Sequence, residues 1–425
     1  MAELKRQLGL LDSTMINVGT IIASAIFIVP SAIAATLGAT GPAILVWVVG
    51  GVVSLLGALS VAELGAAMPE AGGQYVYLTR AYGPASGFLY GWTSGVVITV
   101  LSIVALTVLN SLGVRLGAVT QNVLTLIKMA LLVVLIVVGF ALPGGSATNL
   151  APLWADAPPG HQIASFGVAL VAVLWAYDGW IEITYVGSEV TDPERNLPRS
   201  IVLSTIIGMA LYCLVTASFA YVLSPAKMAA SSLVASDAAQ VTLGGAGAAL
   251  VAVAIMIATI GSNNGIVLTA ARIPYAMARD GLLPRRLAGV HPRFLTPVPS
   301  LVVQGIIAIA LTWISTEPSW KGTYNRLFTY VVLGEFIFYG MSAGAVILLR
   351  HTAADMPRPY RTWGYPVTPL VFVLFSVWLI WNTAHEQLLD FAVGMALILA
   401  GLPWYWWRKA SSVIRHPSSV NGSDG

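Results

Sequence analysis

Two short stretches interrupt long apolar segments of the sequence and decide the fold. Residues 18–27 read VGTIIASAIF and are followed by Pro30, and residues 175–180 read WAYDGW, with Asp178 and Gly179 in the middle of an apolar run. Glycine and proline favour local unwinding of a helix. Unwound backbone at membrane depth is tolerated only where it lines a cavity, because lipid cannot satisfy free N–H and C=O groups. The pair therefore predicts a transporter site between two broken helices, against the alternative of ordinary spans whose small residues serve helix packing.

The composition places the rest of the chain in lipid as well. Of 425 residues, 57% are hydrophobic and 9% are charged, and the mean hydropathy is +0.82. Apolar runs recur from residue 13 to residue 407 without a polar domain between them, which predicts an all-α polytopic membrane protein with about eleven spans. The predicted spans lie near residues 13–38, 43–67, 86–113, 118–141, 163–189, 199–223, 246–272, 298–316, 326–349, 366–383 and 388–407.

The distribution of positive charge predicts the orientation. With the N-terminus in the cytoplasm, seventeen of the 21 Lys and Arg residues fall on the cytoplasmic side, as the positive-inside rule requires. We therefore expect both termini, residues 1–12 and 408–425, to be cytoplasmic. Between them we expect one transmembrane domain, residues 13–407, in a multi-pass protein of the cell membrane.

One segment conflicts with this orientation. Arg80 and Arg115 both belong in the cytoplasm, but residues 86–113 between them suffice for one crossing of about 20 residues and not for two. The segment is a re-entrant hairpin, or a single crossing that inverts the preceding spans, or the remainder of a region that lacks about one helix. We favour the last interpretation and expect 86–113 to form one continuous helix.

Several other classes of function have little support in the sequence. The five histidines are scattered and show no metal-ligand spacing, so we expect no metal, no cofactor and no enzymatic activity. A net charge of +3 is too small to indicate nucleic-acid binding. The single cysteine, Cys213, excludes an internal disulfide.

The sequence resembles the L-type amino-acid transporter branch of the amino acid–polyamine–organocation superfamily. The segments that carry the resemblance occur in family order: residues 18–30, 62–75, 110–122, 176–180, 264–272, 291–299 and 358–366. The resemblance implies a LeuT-like inverted-repeat fold with broken first and sixth spans around the substrate. In this chain the repeats would be residues 13–141 and 163–349, with extra spans in 366–407.

The resemblance also bears on residues 86–113. Members carry a third span, an external loop and a fourth span where this chain has only that segment, so about one span with its loop is missing. In eukaryotic relatives a cysteine in that loop attaches a partner subunit, and we therefore expect no disulfide-linked partner. The loss would open one wall of the site, and restoring a span between Val97 and Thr107 should raise transport.

A zwitterionic substrate presents a carboxylate and an ammonium, and a broken helix offers free N–H groups to one and free C=O groups to the other. We expect the carboxylate against Ala23, Ser24 and Ala25. We expect the ammonium near the carbonyl groups of Ile21, Trp175 and Ala176. Relatives usually have glycines where Ala23 and Ala25 stand, and each added methyl group makes the unwound backbone less permissive.

Lys128 is predicted to lie near the middle of the membrane, thirteen residues beyond Arg115. An intramembrane lysine is a functional hypothesis by default. The resemblance implies that its ammonium stands where sodium sits in ion-coupled relatives, between the first broken span and Ser262. The alternative is a structural ion pair with Glu335.

Four further residues are candidates for the substrate pocket or its surroundings. Trp175 resembles the aromatic residue that closes over the substrate, although it could also serve packing alone. Asp178 and Glu182 lie one turn apart and could serve a proton or a cationic substrate, or could be solvated residues of the helix break. Ile266 replaces a small hydroxyl residue of the relatives and makes the wall more apolar.

These features lead to two hypotheses from different classes. The first is a sodium-independent transporter, an exchanger or facilitator, that moves small neutral L-amino acids by alternating access. The second is a span-deleted, non-transporting membrane protein of the same family that acts only as a binding or interaction subunit.

Overall fold

The computed structural model describes residues 3–93, 100–154, 159–316, 323–386 and 388–410. These residues form no named strand, which confirms the predicted all-α class. The α-helices in chain order are α1 (Leu10–Ile21), α2 (Val29–Leu37), α3 (Thr40–Ala67), α4 (Gln74–Tyr82), α5 (Pro84–Thr93), α6 (Val100–Ser111), α7 (Val114–Ala141), α8 (Pro159–Ala176), α9 (Pro193–Val222), α10 (Pro225–Ala230), α11 (Val234–Leu243), α12 (Gly245–Ala270), α13 (Arg272–Arg279), α14 (Val298–Thr316), α15 (Thr323–Thr352), α16 (Val367–Glu386), α17 (Leu388–Leu399) and α18 (Gly401–Ala410).

Six helical stretches within the described residues are long and apolar enough to cross a membrane. They coincide with α3, α7, α9, α12 together with α13, residues Leu333–Thr352 of α15, and α16. Shorter apolar helices occupy Ser165–Ala176, Val298–Ala310 and Phe391–Trp407. Each predicted span therefore contains helix, and the outer face of α7 exposes Val119, Val123 and Leu126, as expected for side chains that face lipid.

The first interruption, which we call the first break, consists of residues 22–23. Helix α1 ends at Ile21, Ile22 takes φ −76° and ψ 81°, and Ala23 is extended before a 3₁₀ helix at Ser24–Phe27. Helix α2 then begins with Pro30 in its first turn, where a missing N–H is harmless.

The second interruption, the second break, consists of residues 177–181, between the end of α8 and a 3₁₀ helix at Glu182–Glu189. Gly179 has φ +107°, and a Cβ atom there would lie 2.7 Å from the Thr20 side chain. Only glycine fits here, because L side chains rarely adopt this positive φ and because the end of α1 leaves no room for a Cβ atom. The predicted unwinding around Asp178 and Gly179 is therefore present.

Helix α9 forms the centre of the surrounding scaffold. It packs against α3, α1 and α7, and α7 packs against α12. Helix α2 packs against α8 and α10, while α15 packs against α16 and α3. Both broken helices are thus held between α3, α7, α9 and α12.

The expectation of one continuous helix over residues 86–113 falls partly outside the described residues, because 94–99 are not among them. The described parts, α5 and α6, have different neighbours. Helix α5 packs against α4, α17 and α18, whereas α6 packs against α12 and α14. Whether the segment is one helix stays a prediction.

One predicted span differs from the structure. Residues 388–407 were expected to form a single helix, but α17 ends at Leu399 and α18 begins at Gly401, with a turn at Ala400. Pro403 lies three residues after this turn and has no N–H to donate to the carbonyl of Leu399, which removes one bond of a continuous helix.

Candidate functional site

Helix α1, just before the first break, is bound to the second break and its surroundings through two side chains. Asn17 donates from Nδ2 to the Trp180 carbonyl at 2.7 Å and accepts at Oδ1 from the Ile183 N–H at 2.8 Å. Thr20 lies 3.0 Å from the Gly179 carbonyl through Oγ1. These bonds satisfy backbone groups that the unwound segment cannot satisfy itself. The predictions had not included Asn17, whose partners lie far away in the sequence.

The carbonyl ends of α1 and α8 converge on one atom. The Tyr212 hydroxyl oxygen lies 2.5 Å from the Ile21 carbonyl oxygen and 2.9 Å from the Ala176 carbonyl oxygen. Its ring is held in a cluster with Trp47 and Tyr177, at centroid distances of 5.0 and 5.2 Å. Ile21 and Ala176 were both predicted to face the substrate ammonium, whereas Tyr212 was missed because a tyrosine in an apolar run gives no sign of its partner.

Opposite these carbonyl groups lies the start of the first 3₁₀ helix. Ala23 and Ser24 are half-buried, whereas Ala25 is buried. The Ala23 N–H donates to the Ile21 carbonyl at 2.8 Å. The first N–H groups of the 3₁₀ helix that follows have no partner within that helix, which makes them candidates for binding an anionic group. Ser24 Oγ makes no hydrogen bond with any described residue. The geometry thus brings hydrogen-bond donors of this segment near acceptors of Ile21 and Ala176.

Trp175 is half-buried and packs against the main hydrophobic core. It occupies the last turn of α8, next to the buried Ala176. Its position at the edge of the second break is compatible with both the closing role and the packing role that the sequence left open.

Asp178 in the second break and Glu182 directly after it are hydrogen-bonded and only half-buried. Tyr339 of α15 donates to Asp178 Oδ1 at 2.5 Å, and Thr269 of α12 donates to Glu182 Oε2. Glu335, one turn before Tyr339, lies close enough to Asp178 and Glu182 for their charges to interact. The charges of three carboxyl groups therefore interact here, and Glu335 belongs to this group, whereas the sequence had suggested it only in the alternative of an ion pair with Lys128.

Lys128 is 1% exposed and donates from Nζ to the Gly19 carbonyl in the last turn of α1. Ser262 Oγ donates to the Thr20 carbonyl at 3.2 Å. Nζ also lies against Gly261, where a Cβ atom would be 3.3 Å away. Both residues thus contact the end of α1, and within the described residues Lys128 forms no ion pair with Glu335.

Amide side chains join the helices behind Lys128. Asn264 of α12 donates to Gln121 Oε1 of α7 at 2.8 Å and accepts from Asn110 of α6 at 3.0 Å. Thr125 of α7 donates to the Met15 carbonyl at 3.1 Å. These bonds fix α1, α6 and α12 to α7, the helix that carries the lysine.

At the other end of the broken helices, the chain start is bound to the end of the second 3₁₀ helix. The N–H groups of Gln7 and Leu8 donate to the Glu189 carbonyl at 2.7 and 2.9 Å, and the Thr191 N–H donates to the Leu8 carbonyl at 2.9 Å. The Glu189 carboxylate forms a two-point ion pair with Arg272, and both side chains are fully buried.

No group of His, Cys, Asp or Glu able to hold a metal occurs in the part of the chain that the structure describes. The arrangement of free backbone ends, a buried ammonium and half-buried carboxyl groups suits binding of a small charged or zwitterionic molecule.

Comparisons with known proteins agree with this chemistry. The profile described as amino acid permease matches residues 8–101 and 88–401. The b(0,+)-type amino acid transporter 1 of Mus musculus is 31% identical over 440 residues, covering 95% of this chain and 88% of that protein. The serine/threonine exchanger SteT of Bacillus subtilis is 30% identical over 439 residues, covering 96% and 97%.

A third relative, the large neutral amino acids transporter small subunit 2 of Mus musculus, is 30% identical over 445 residues, covering 95% of this chain and 81% of that protein. These names describe transporters and not enzymes. The family match extends over nearly all of the chain, and it includes both breaks and Lys128. The chain therefore belongs to the amino acid permease family, in the L-type branch of the amino acid–polyamine–organocation superfamily.

Proposed function

We propose that this protein transports small neutral L-amino acids by alternating access, as an exchanger or facilitator that does not use sodium. The substrate would lie between the two breaks. The residues proposed to bind it are Ile21, Ala23, Ser24, Ala25, Trp175, Ala176 and Asp178.

The observation that carries this proposal is the convergence of the Ile21 and Ala176 carbonyl groups on the Tyr212 hydroxyl. A hydroxyl has one proton and donates to only one of the two carbonyl groups at a time, and the Ile21 carbonyl also accepts from the Ala23 N–H at 2.8 Å, so the Ala176 carbonyl is the acceptor proposed for a substrate ammonium. The half-buried Ser24 and the first N–H groups of its 3₁₀ helix supply donors for the carboxylate. A backbone site of this kind recognises the part that all amino acids share.

The preference for a small neutral side chain has separate support. Methyl groups at Ala23 and Ala25 and the ring of Trp175 reduce the space around the breaks, and Ile266 adds apolar surface. The exchanger of Bacillus subtilis is named for serine and threonine, which are small and neutral.

Independence from sodium rests on Lys128. Its buried ammonium binds a carbonyl group at the end of α1, and Ser262 binds the next carbonyl group. A fixed positive charge at this point would repel a sodium ion and supply the electrostatic contribution that sodium would bring.

A second candidate substrate class is favoured by the three carboxyl groups of Asp178, Glu182 and Glu335. Like charges at membrane depth repel, and binding of a proton or of a cationic side chain relieves that repulsion. The b(0,+)-type and large neutral transporters among the relatives indicate that substrate class varies within this family.

The span-deleted alternative also has support. The alignment with the mouse b(0,+)-type transporter has 440 positions but covers 95% of this chain, and 95% of 425 is about 404, so about 36 positions of the relative have no residue here. That number is close to one span with its loop. A chain without this region could bind substrate and fail to move it.

We also propose that residues 1–12 and 408–425 are cytoplasmic, that residues 13–407 form the membrane domain, and that the protein lies in the cell membrane. The Bacillus relative supports that membrane. A cysteine introduced near Ser13, at the exposed Lys5, and another near Ser411 should react from the same side in sealed cells. Labelling of the two cysteines from opposite sides of the membrane would contradict the proposed orientation.

The experiment that tests transport is exchange in proteoliposomes loaded with unlabelled amino acid, with labelled alanine, serine, leucine, lysine and glutamate outside. We expect uptake of alanine and serine, unchanged when choline replaces sodium, and its loss in Ser24→Pro. Ser232→Pro, at an exposed residue outside the site, is the matched control. Uptake of lysine alone would favour the cationic class, and substrate binding by the purified protein without uptake would favour the span-deleted alternative.

A further inference from the structure

A cavity of about 440 Å³ lies at the N-terminus of α7. It is lined by Gln7, residues 112–116, Val119 and residues 293–295. The two loops that form it are joined by a hydrogen bond from Thr296 Oγ1 to the Ser111 carbonyl, at 2.8 Å. Its volume lies within the range of small-molecule sites.

The charged residues that line this cavity are both arginines. Arg115 and Arg293 are exposed, and neither guanidinium forms an ion pair or a side-chain hydrogen bond with another described residue. The Arg293 guanidinium carbon lies 5.7 Å from the Phe294 ring centroid, and that ring stacks on His291. A second cavity, of about 700 Å³, differs in containing carboxylates as well as arginines.

The backbone adds further positive character. Gly113 precedes α7 with φ +145°, and no side chain caps the first N–H groups of this 28-residue helix. Free N–H groups at a helix start attract anions, and here they point toward the end of the cavity that carries Arg115. Arginine is the side chain best suited to bind a phosphate group at two points.

The cavity continues into a lipid-facing surface. Leu112, Leu116 and Val119 line it and are 47%, 46% and 50% exposed. Farther along the same helix, Val123 is 50% exposed. An occupant of the cavity would therefore have its polar part beside the arginines and its apolar part along α7.

We propose that this cavity binds the headgroup of an anionic phospholipid, with its phosphate on Arg115 and Arg293 and an acyl chain along Leu112, Leu116 and Val119. Both arginines belong to the side that the charge distribution assigns to the cytoplasm, where anionic lipids attract basic pockets between helices. A free phosphate shares the headgroup chemistry but makes no use of the apolar surface.

The test is native mass spectrometry of the purified protein titrated with phosphatidylglycerol or phosphatidylcholine. The double variant Arg115→Gln with Arg293→Gln removes both cations, and Arg195→Gln with Arg361→Gln removes two exposed cations elsewhere. We expect the first double variant to bind phosphatidylglycerol about 30-fold more weakly than wild type, from about 1 kcal/mol for each arginine. The control should bind as wild type does.

Inorganic phosphate at millimolar concentration should not displace the lipid, because it lacks the acyl chain. Displacement by phosphate would assign the cavity to a free anion and overturn the proposal. Equal retention of phosphatidylglycerol by both double variants, or equal binding of phosphatidylcholine by wild type, would also overturn it. These measurements need no transport, and their outcome is independent of the proposed function.

Discussion

Replacing Lys128 with methionine tests whether the buried ammonium at the end of α1 is needed for transport. Methionine has a similar length, so it fills the space around Gly261 without leaving a cavity. The change removes the ammonium that donates to the Gly19 carbonyl. A hydrogen bond to a charged group contributes about 1.5–3 kcal/mol. If that contribution is needed when access alternates, the exchange rate falls about 10- to 150-fold.

The assay is exchange of labelled serine in proteoliposomes, together with thermal unfolding of the purified protein. We expect Lys128→Met to slow exchange by this factor while its melting temperature does not fall, because the variant also avoids the cost of burying an ammonium, which offsets the lost hydrogen bond. The matched control is Lys227→Met, at an exposed residue of α10, which should transport as wild type does. Replacing sodium with choline should leave wild-type exchange unchanged.

Two results would refute this reasoning. Exchange by Lys128→Met at the wild-type rate would mean that the ammonium has no part in transport. A fall in melting temperature parallel to the loss of exchange would mean that Lys128 is a structural residue only.

Three other predictions follow from the site and its surroundings. Trp175→Ala should raise the apparent KM about tenfold, from about 1.5 kcal/mol of lost apolar contact, in concentration-dependent uptake; an unchanged KM would assign the ring to packing. Arg272→Met should destabilise the protein by about 3–5 kcal/mol because it leaves the Glu189 carboxylate buried without its cation, and adding Glu189→Leu should recover most of the lost melting temperature. Burial raises the pKa of Asp280 above its ordinary 3.8, so the contribution of its neutral carboxyl group to stability is full below pH 3.8 and is lost as the pH rises through the raised value. Asp280→Asn keeps an acceptor for the Tyr75 hydroxyl and does not titrate, so its melting temperature should rise relative to that of wild type over this pH range. Parallel curves of melting temperature against pH for the two proteins would contradict this prediction.

Much of the fold could be predicted because the signals are local. Apolar runs of span length identify helices wherever they occur, and the turn at Ala400 was missed because the run stays apolar across Gly401 and Pro403, although Pro403 interrupts the helical hydrogen bonds. The breaks were located from Pro30 and Gly179, whose backbone restrictions act at their own positions.

The partners of the breaks could not be predicted in the same way. Asn17 satisfies backbone groups more than 160 residues away, and Tyr212 lies between two carbonyl groups that are 155 residues apart and belong to the two predicted repeats. Such bonds depend on how helices pack, and a single polar side chain in an apolar run indicates that it needs a partner but not which one. An ion pair of Glu335 with Lys128 was left open as an alternative for the same reason, whereas the charge of Glu335 interacts with those of Asp178 and Glu182.

The backbone bonds of Leu8 have a mechanical consequence. They join the start of α1 to the end of the second 3₁₀ helix, on either side of a fully buried ion pair between Glu189 and Arg272. Helix α1 and the second 3₁₀ helix are therefore joined by backbone hydrogen bonds at this end, and a rearrangement that moves one of them is expected to move the other as well.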